Sequence, residues 1–132
     1  MTENRDILLR TITWSVSALF VGLGLWLMIQ PQSIENLYPI SLNGPMAFSE
    51  IRAIFGGMMA GIGGAVLSLD LIYKRQQEAA MVLATVIGGF VLARLVGLGI
   101  EGFPSGAVLT ETIFEIVAFT LLVGLGAYRP SE

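Results

Sequence analysis

The chain has 132 residues, of which 55% are hydrophobic and only 13% are charged, and its mean hydropathy is +0.78. Water-soluble domains carry about a quarter charged residues, so this composition excludes that class and indicates a membrane protein. The net charge of −3 gives no indication of nucleic acid as a partner. Cysteine and histidine are absent, which excludes disulfides, the usual metal ligands and histidine-based catalysis. We therefore expect no cofactor and no metal.

Hydropathy predicts four transmembrane helices, because a helix needs about 20 mostly apolar residues to cross the hydrocarbon core of a bilayer. In chain order, the predicted spans cover residues of about 11–29, 49–73, 78–100 and 111–128. The backbone must satisfy its own hydrogen bonds in lipid, so such long apolar stretches are helical. The predicted fold class is all-α, an integral membrane four-helix bundle that forms a single domain over residues 1–132.

Basic residues near the ends of the predicted spans indicate the orientation. Five of them fall on one face of a four-helix hairpin arrangement: Arg5, Arg10, Lys74, Arg75 and Arg129. Cytoplasmic flanks of membrane proteins are enriched in lysine and arginine. We therefore predict that both termini lie in the cytoplasm and that the chain is a multi-pass protein of the bacterial cytoplasmic (inner) membrane.

Small residues dominate the second span, "EIRAIFGGMMAGIGGAVLS". They form two adjacent rows, one with Ala53, Gly57, Gly61 and Ala65 and the other with Gly56, Ala60, Gly64 and Ser68. Small residues at four-residue spacing let helix backbones approach closely in lipid. The rows predict that the second span is the most enclosed helix, and a shorter row in the third span adds Gly97 to the packing residues.

Arg94 interrupts the apolar stretch "FVLARLVGLG" of the third span and requires a counter-charge there. A charged side chain inside a membrane span usually faces the bundle interior and pairs with another. Glu115 lies at a similar depth in the antiparallel fourth span, and Glu111 shares its helix face. The second span carries Glu50 and Arg52 near the same end. We predict a polar cluster of these five residues, in which Arg94 pairs with Glu115 and Glu50 is the competing partner. The four members other than Glu111 have formal charges that sum to zero.

Two other placements remain open for these charged residues. Arg52 and Arg94 could extend their side chains to the headgroup region, because both lie near the end of a span. Glu50 and Glu111 could be acids at helix starts, which the helix dipole favours. In either case the charged residues would not mark a site.

Three segments carry a resemblance to a known family: "SEIRAIFGGMMAGIGG" at 49–64, "ARLVGLGIEGFPSG" at 93–106 and "FE" at 114–115. They resemble the bacterial membrane family catalogued as domain of unknown function 4345. Members of that family have four predicted helices, a Glu-x-Arg-Ala segment that runs into Gly-Gly, and an Ala-Arg-x-x-Gly segment. The resemblance implies no activity. It implies that the family's signature positions here are Glu50, Arg52, Gly56, Gly57, Arg94, Gly97, Gly102, Pro104, Ser105 and Glu115.

Three classes of function fit these residues. The first, which we expect, is a structural or accessory subunit or a homo-oligomer, because glycine is abundant in the spans and the loops are short. The second is a protein that binds or transports a small lipophilic or anionic molecule at the charged cluster, with "ENLYPI" as a lid. The third is a membrane enzyme that uses Glu50 or Glu115 as an acid or base. The expected partners are the lipid bilayer, a membrane protein or second copy, or a hydrophobic small molecule.

Overall fold

The chain folds into four long helices, and its computed structural model describes residues 2–103 and 106–127. The elements are α1 (Thr2–Ile29), a 3₁₀ turn (Pro31–Ser33), α2 (Ile34–Leu37), α3 (Pro45–Glu50), a π-helical segment (Ile51–Gly57), α4 (Met58–Leu71), α5 (Gln76–Glu101) and α6 (Ala107–Gly126). The π segment joins α3 and α4 into one continuous helix. The described residues contain no β-strand, and the all-α prediction is therefore confirmed.

Four helices are long and apolar enough to cross a membrane: Glu3–Ile29, Pro45–Leu71, Gln76–Ile100 and Val108–Gly126. They coincide with the four apolar stretches of the sequence. The first helix starts well before the predicted residue 11, because polar residues continue the helix beyond the apolar stretch that hydropathy detects.

The most enclosed helix is α1, so the prediction that the second span occupies this position is wrong. In α1, 33% of the most apolar window is buried, compared with 22% in Pro45–Leu71. α1 contacts α4, α5 and α6, and its buried side chains include Leu9, Val16 and Phe20. The second span packs most closely against α1 and also contacts α5.

Close contact between α1 and the second span depends on three glycines. A Cβ atom on Gly24 would lie 2.5 Å from Ala60 N, and one on Gly63 would lie 2.6 Å from Ser17 O. A Cβ atom on Gly56 would lie 2.9 Å from Met28 N. These neighbours are backbone atoms, which cannot turn aside as a side chain can. The second span therefore presents Gly56, Ala60 and Gly63 to α1.

The other predicted packing residues of the second span face away from this contact. No atom lies within 4 Å of a Cβ added to Gly61 or Gly64, and Gly57 would meet only a carbonyl oxygen of its own helix, at 3.6 Å. Ala53 is exposed. The predicted role of these four residues in packing within the chain is therefore wrong. The surface that contacts α1 thus takes Gly56 and Ala60 from one predicted row and continues at Gly63, which belongs to neither row.

The π segment sets the orientation of residues at the start of this helix. The inward positions are Ile51 and Gly56, both buried and five residues apart, followed by Ala60 and Gly63. A π turn pairs residues at i and i+5, so Ile51 lies one turn above Gly56. An α-helix pairs residues at i and i+4 and would place Arg52 there instead. Arg52 is turned outward as a result.

The bundle has two distinct ends. The terminal end carries the start of α1, the 72–75 turn and the end of α6, and the loop end carries residues 30–44, 102, 103 and 106. At the terminal end Gln76 Nε2 donates to Asp6 O at 2.6 Å, and Gln77 Nε2 donates to Gly126 O at 2.5 Å. The predicted flanking residues Arg5, Arg10, Lys74 and Arg75 lie at this end. Arg129 lies outside the described residues.

Candidate functional site

A polar cluster at the loop end joins α5 to α6. Arg94 Nε and Nη2 donate to Glu115 Oε2 and Oε1, both at 3.2 Å, and Nη2 also donates to Glu111 Oε2 at 2.9 Å. The side chains are 27% exposed for Arg94, 14% for Glu115 and 36% for Glu111. Two parallel bonds to one carboxylate hold the planar guanidinium in a fixed orientation. The structure thus brings Arg94 together with Glu115, its expected partner, and adds Glu111.

The connection between α5 and α6 places these side chains at one depth. Gly102 (φ +91°) and Gly106 (φ +61°) adopt backbone conformations that side chains disfavour, and they let the chain reverse within a few residues. α6 then runs antiparallel to α5. Because Glu111 and Glu115 are one turn apart on α6, both carboxylates face Arg94. Pro104 and Ser105 lie outside the described residues.

Tyr38 completes the cluster from the connection between α1 and α3. Its O–H donates to Glu111 Oε1 at 2.6 Å. Burial of the phenol and this bond to a negatively charged carboxylate raise the pKa of Tyr38 from 10.0 to about 12. The connection is itself folded, since Glu35 Oε1 accepts from Leu42 N at 2.6 Å. A small apolar core beneath it contains Leu27, Ile34 and Ile51.

A cavity of about 730 Å³ opens beside the polar cluster, between α1, the second span, α5 and α6. Its walls include five of the seven phenylalanines of the chain: Phe20, Phe55, Phe90, Phe103 and Phe114. Gly97, which the sequence assigned to helix packing, is one of the residues that line this cavity. Tyr38, Arg94 and both glutamates form its polar side, with Pro39 next to Tyr38. Small-molecule sites have volumes of about 300–1,000 Å³, mostly apolar walls and a few polar groups, and this cavity has those properties.

Glu50 and Arg52 do not join the cluster, so the predicted five-residue group is wrong in these two members. Both side chains are exposed. The side chain of Glu50 forms no hydrogen bond or ion pair with the described residues, and Arg52 Nε donates to Met28 O at 3.2 Å. The π turn and the outward direction of the Ala53 row account for both positions. One guanidinium and two carboxylates remain, with a formal charge of −1. Because Glu50 and Arg52 carry opposite charges, their absence leaves the formal charge of the five-residue group unchanged.

An ion pair between α1 and α4, which was not predicted from the sequence, lies at the terminal end. Asp70 is 2% exposed and accepts from Arg10 Nε at 3.0 Å, Arg10 Nη2 at 3.1 Å and Trp14 Nε1 at 2.6 Å. Its signal was present, because Asp70 interrupts an apolar stretch as Arg94 does. Tyr38 carried no comparable signal, since its partner Glu111 is 73 positions away in the sequence.

Comparison with known proteins gives one match. The family model for the domain of unknown function (DUF4345) matches residues 8–125, which include both polar clusters and the cavity. Neither the search of curated proteins nor the search of solved structures returned a match. The match agrees with the resemblance carried by residues 49–64, 93–106 and 114–115. The chain therefore belongs to the DUF4345 family.

Proposed function

We propose that this chain is a multi-pass protein of the bacterial inner membrane with its terminal end in the cytoplasm. The sides of the bundle expose large apolar side chains such as Trp26 (50%), Leu92 (64%) and Ile113 (55%), which suit contact with lipid. Arginine and lysine flank the spans at the terminal end, which favours a cytoplasmic position for that end. Reporter fusions within residues 32–36 should give a periplasmic signal, and fusions at residue 76 and after Glu132 a cytoplasmic one. A cytoplasmic signal from residues 32–36 would contradict this orientation.

The geometry best supports the binding of a small lipophilic molecule in the loop-end cavity. The observation that carries this function is an apolar cavity of about 730 Å³ with one ionic side, built by Arg94, Glu111 and Glu115. An anionic ligand fits less well than the sequence suggested, because only one of the two arginines joins the cluster and two carboxylates already engage it. Acid–base catalysis also lacks support. Both oxygens of Glu115 accept from Arg94, and Glu50 lies outside the cavity.

Purification from native membranes tests this function. The full-length protein should retain about one small lipophilic molecule per chain, detected by mass spectrometry of the extracted material. Gly97→Phe fills the cavity and should abolish this retention. Gly89→Phe is the matched control, because Gly89 is exposed, has no atom within 4 Å of an added Cβ and does not line the cavity. Equal retention in all three proteins would mean that the molecule is ordinary surrounding lipid.

Self-association is a second candidate function, favoured by the outward row of the second span. Ala53, Gly61 and Ala65 are exposed, and Gly61 has no neighbour for an added Cβ. The row is four residues in period and is left without a partner within the described chain, as a contact between two copies requires. The occupant that this surface fits is the same row of a second copy.

Cysteine cross-linking tests the self-association, since the natural chain contains no cysteine. Ala65→Cys should form disulfide-linked dimers in the membrane, and Leu92→Cys, on an exposed face of α5, should not. Adding Gly61→Leu to Ala65→Cys should suppress the dimer while the unfolding temperature of the monomer stays the same. Equal cross-linking at both positions would indicate random collision and exclude a specific dimer.

A further inference from the structure

We propose that the loop-end cavity selects lipophilic organic cations, meaning ammonium- or phosphonium-type ions with a bulky apolar body, over anions of the same shape. This inference rests on the proposed binding function and names its ligand class. Three observations support it, namely the charge of the cluster, the distribution of exposure within it, and the aromatic walls.

The charge of the cluster is the first observation. Arg94 is the only cation among the residues that line the described cavity, and its Nε and Nη2 atoms are engaged by two carboxylates. Within the group, Glu111 is the most exposed side chain at 36%, compared with 27% for Arg94 and 14% for Glu115. A ligand that enters the cavity therefore finds a partly exposed carboxylate at Glu111, while two nitrogens of the guanidinium are already engaged. Coulomb attraction in a partly buried site favours a cation there.

Arg94 Nη1 is the atom that would favour an anion. It makes no hydrogen bond within the described part of the chain, so two N–H donors remain for a ligand. An anion bound to them would lie beside Glu115 and Glu111, which contact the neighbouring nitrogens at 3.2 Å and 2.9 Å. The two carboxylates already neutralise the guanidinium, so an added anion would meet a group with a net negative charge.

The aromatic walls are the third observation. Phe90 is one helical turn before Arg94 on α5, and Phe114 directly precedes Glu115 on α6, so both lie at the level of the ionic side or one turn from it. Phe20 packs near Phe90, with ring centroids 6.1 Å apart. Cations are attracted to the negative faces of aromatic rings, whereas anions are repelled by them. Carboxylates combined with phenylalanine walls suit a cation that carries its own apolar groups.

Tetraphenylphosphonium and tetraphenylborate are the probes that test this selectivity, because they share a shape and have opposite charges. Their binding to the purified full-length protein in an uncharged detergent is measured by equilibrium dialysis, with protein-free micelles subtracted. Tetraphenylphosphonium should bind saturably at one per chain, at least tenfold more tightly than tetraphenylborate. Glu111→Gln brings the cluster to zero charge and should weaken cation binding about tenfold. The matched control Glu50→Gln removes the same charge outside the cavity and should leave binding unchanged.

A second variant keeps the test independent of the ion pair. Phe114→Leu leaves every charge in place and should weaken tetraphenylphosphonium binding about threefold, so it decides the question if Glu111→Gln does not fold. Equal or tighter binding of tetraphenylborate would overturn the cation selectivity. If Gly97→Phe abolishes the binding of tetraphenylborate, the proposal of a binding cavity still holds. Loss of selectivity in Glu50→Gln would place the discrimination outside the cavity and would also overturn the proposal. If neither ion binds saturably, the proposed binding function fails as well.

Discussion

Truncation of Arg94 should destabilise the fold more than truncation of either glutamate. Two unit charges 4 Å apart interact by about 4 kcal/mol at an effective dielectric constant of about 20. The side chains of the cluster are 14–36% exposed, so water lowers this value. Arg94→Ala leaves two carboxylates with Tyr38 as the one remaining donor in the cluster, and we expect it to lower the free energy of unfolding by about 3 kcal/mol. Glu115→Ala leaves Arg94 paired with Glu111 and should lower the free energy of unfolding by about 1–2 kcal/mol.

A double-mutant cycle isolates the pair. Arg94→Ala, Glu115→Ala and the double variant are unfolded by titration with sodium dodecyl sulfate in mixed micelles, and helicity is followed by circular dichroism. The coupling energy should be about 1–2 kcal/mol. The exchange of Arg94→Glu with Glu115→Arg should recover part of the loss. The control cycle pairs Arg94 with Glu50, which is exposed and outside the cluster, and should give a coupling energy of about zero.

Two results would refute this reasoning. Additive losses for Arg94 and Glu115 would mean that the guanidinium reaches the headgroups and forms no pair in the bundle. A larger loss for Glu115→Ala than for Arg94→Ala would mean that the arginine, not the carboxylates, is left uncompensated, contrary to the observed contacts with both glutamates.

Three further predictions concern other parts of the fold. Gly63→Ala should lower the free energy of unfolding by about 1–3 kcal/mol, because its Cβ would lie 2.6 Å from Ser17 O. Gly61 has open space around it, so Gly61→Ala should be neutral or stabilising by up to about 1 kcal/mol. Equal losses of stability in the two variants would contradict the assigned interface. The elevated pKa of Tyr38 means that its contribution to stability is fully present below pH 10.0 and is lost as the pH rises through about 12. A spectrophotometric titration of the folded protein should therefore show one tyrosine ionising near pH 12 that is missing in Tyr38→Phe, and its persistence in that variant would contradict the assignment. Asp70→Asn should lower the free energy of unfolding by about 2 kcal/mol, because Arg10 loses its counter-charge but is half exposed. The variant should also shift the tryptophan fluorescence. Unchanged stability and an unchanged spectrum would mean that the buried contact does not form.

The choice between the two small-residue rows shows why packing within the chain could not be predicted. Both rows of the second span satisfy the four-residue spacing, and helix periodicity gives their relative direction only. Gly24 on α1 permits approach to Gly56 and Ala60, where the nearest backbone atoms leave no space for a Cβ. The contact then continues at Gly63, which belongs to neither row. The π segment then shifts the preceding residues by one position. The outward placement of Arg52 and Glu50 follows from this shift and from the chosen row, and neither can be obtained from local spacing.

The sequence by itself determined the properties that depend on local composition and on the cost of charge in an apolar segment. Four apolar stretches specify four helices, and Arg94 requires an acid at its own depth, which antiparallel neighbouring helices supply at Glu115. Only the tertiary structure decided which residues meet across long separations. Tyr38 contacts Glu111 over 73 positions and Arg10 contacts Asp70 over 60, and the cavity is lined by residues of α1, the second span, α5 and α6. Such contacts depend on how whole helices rotate and pack against each other, which no single segment encodes.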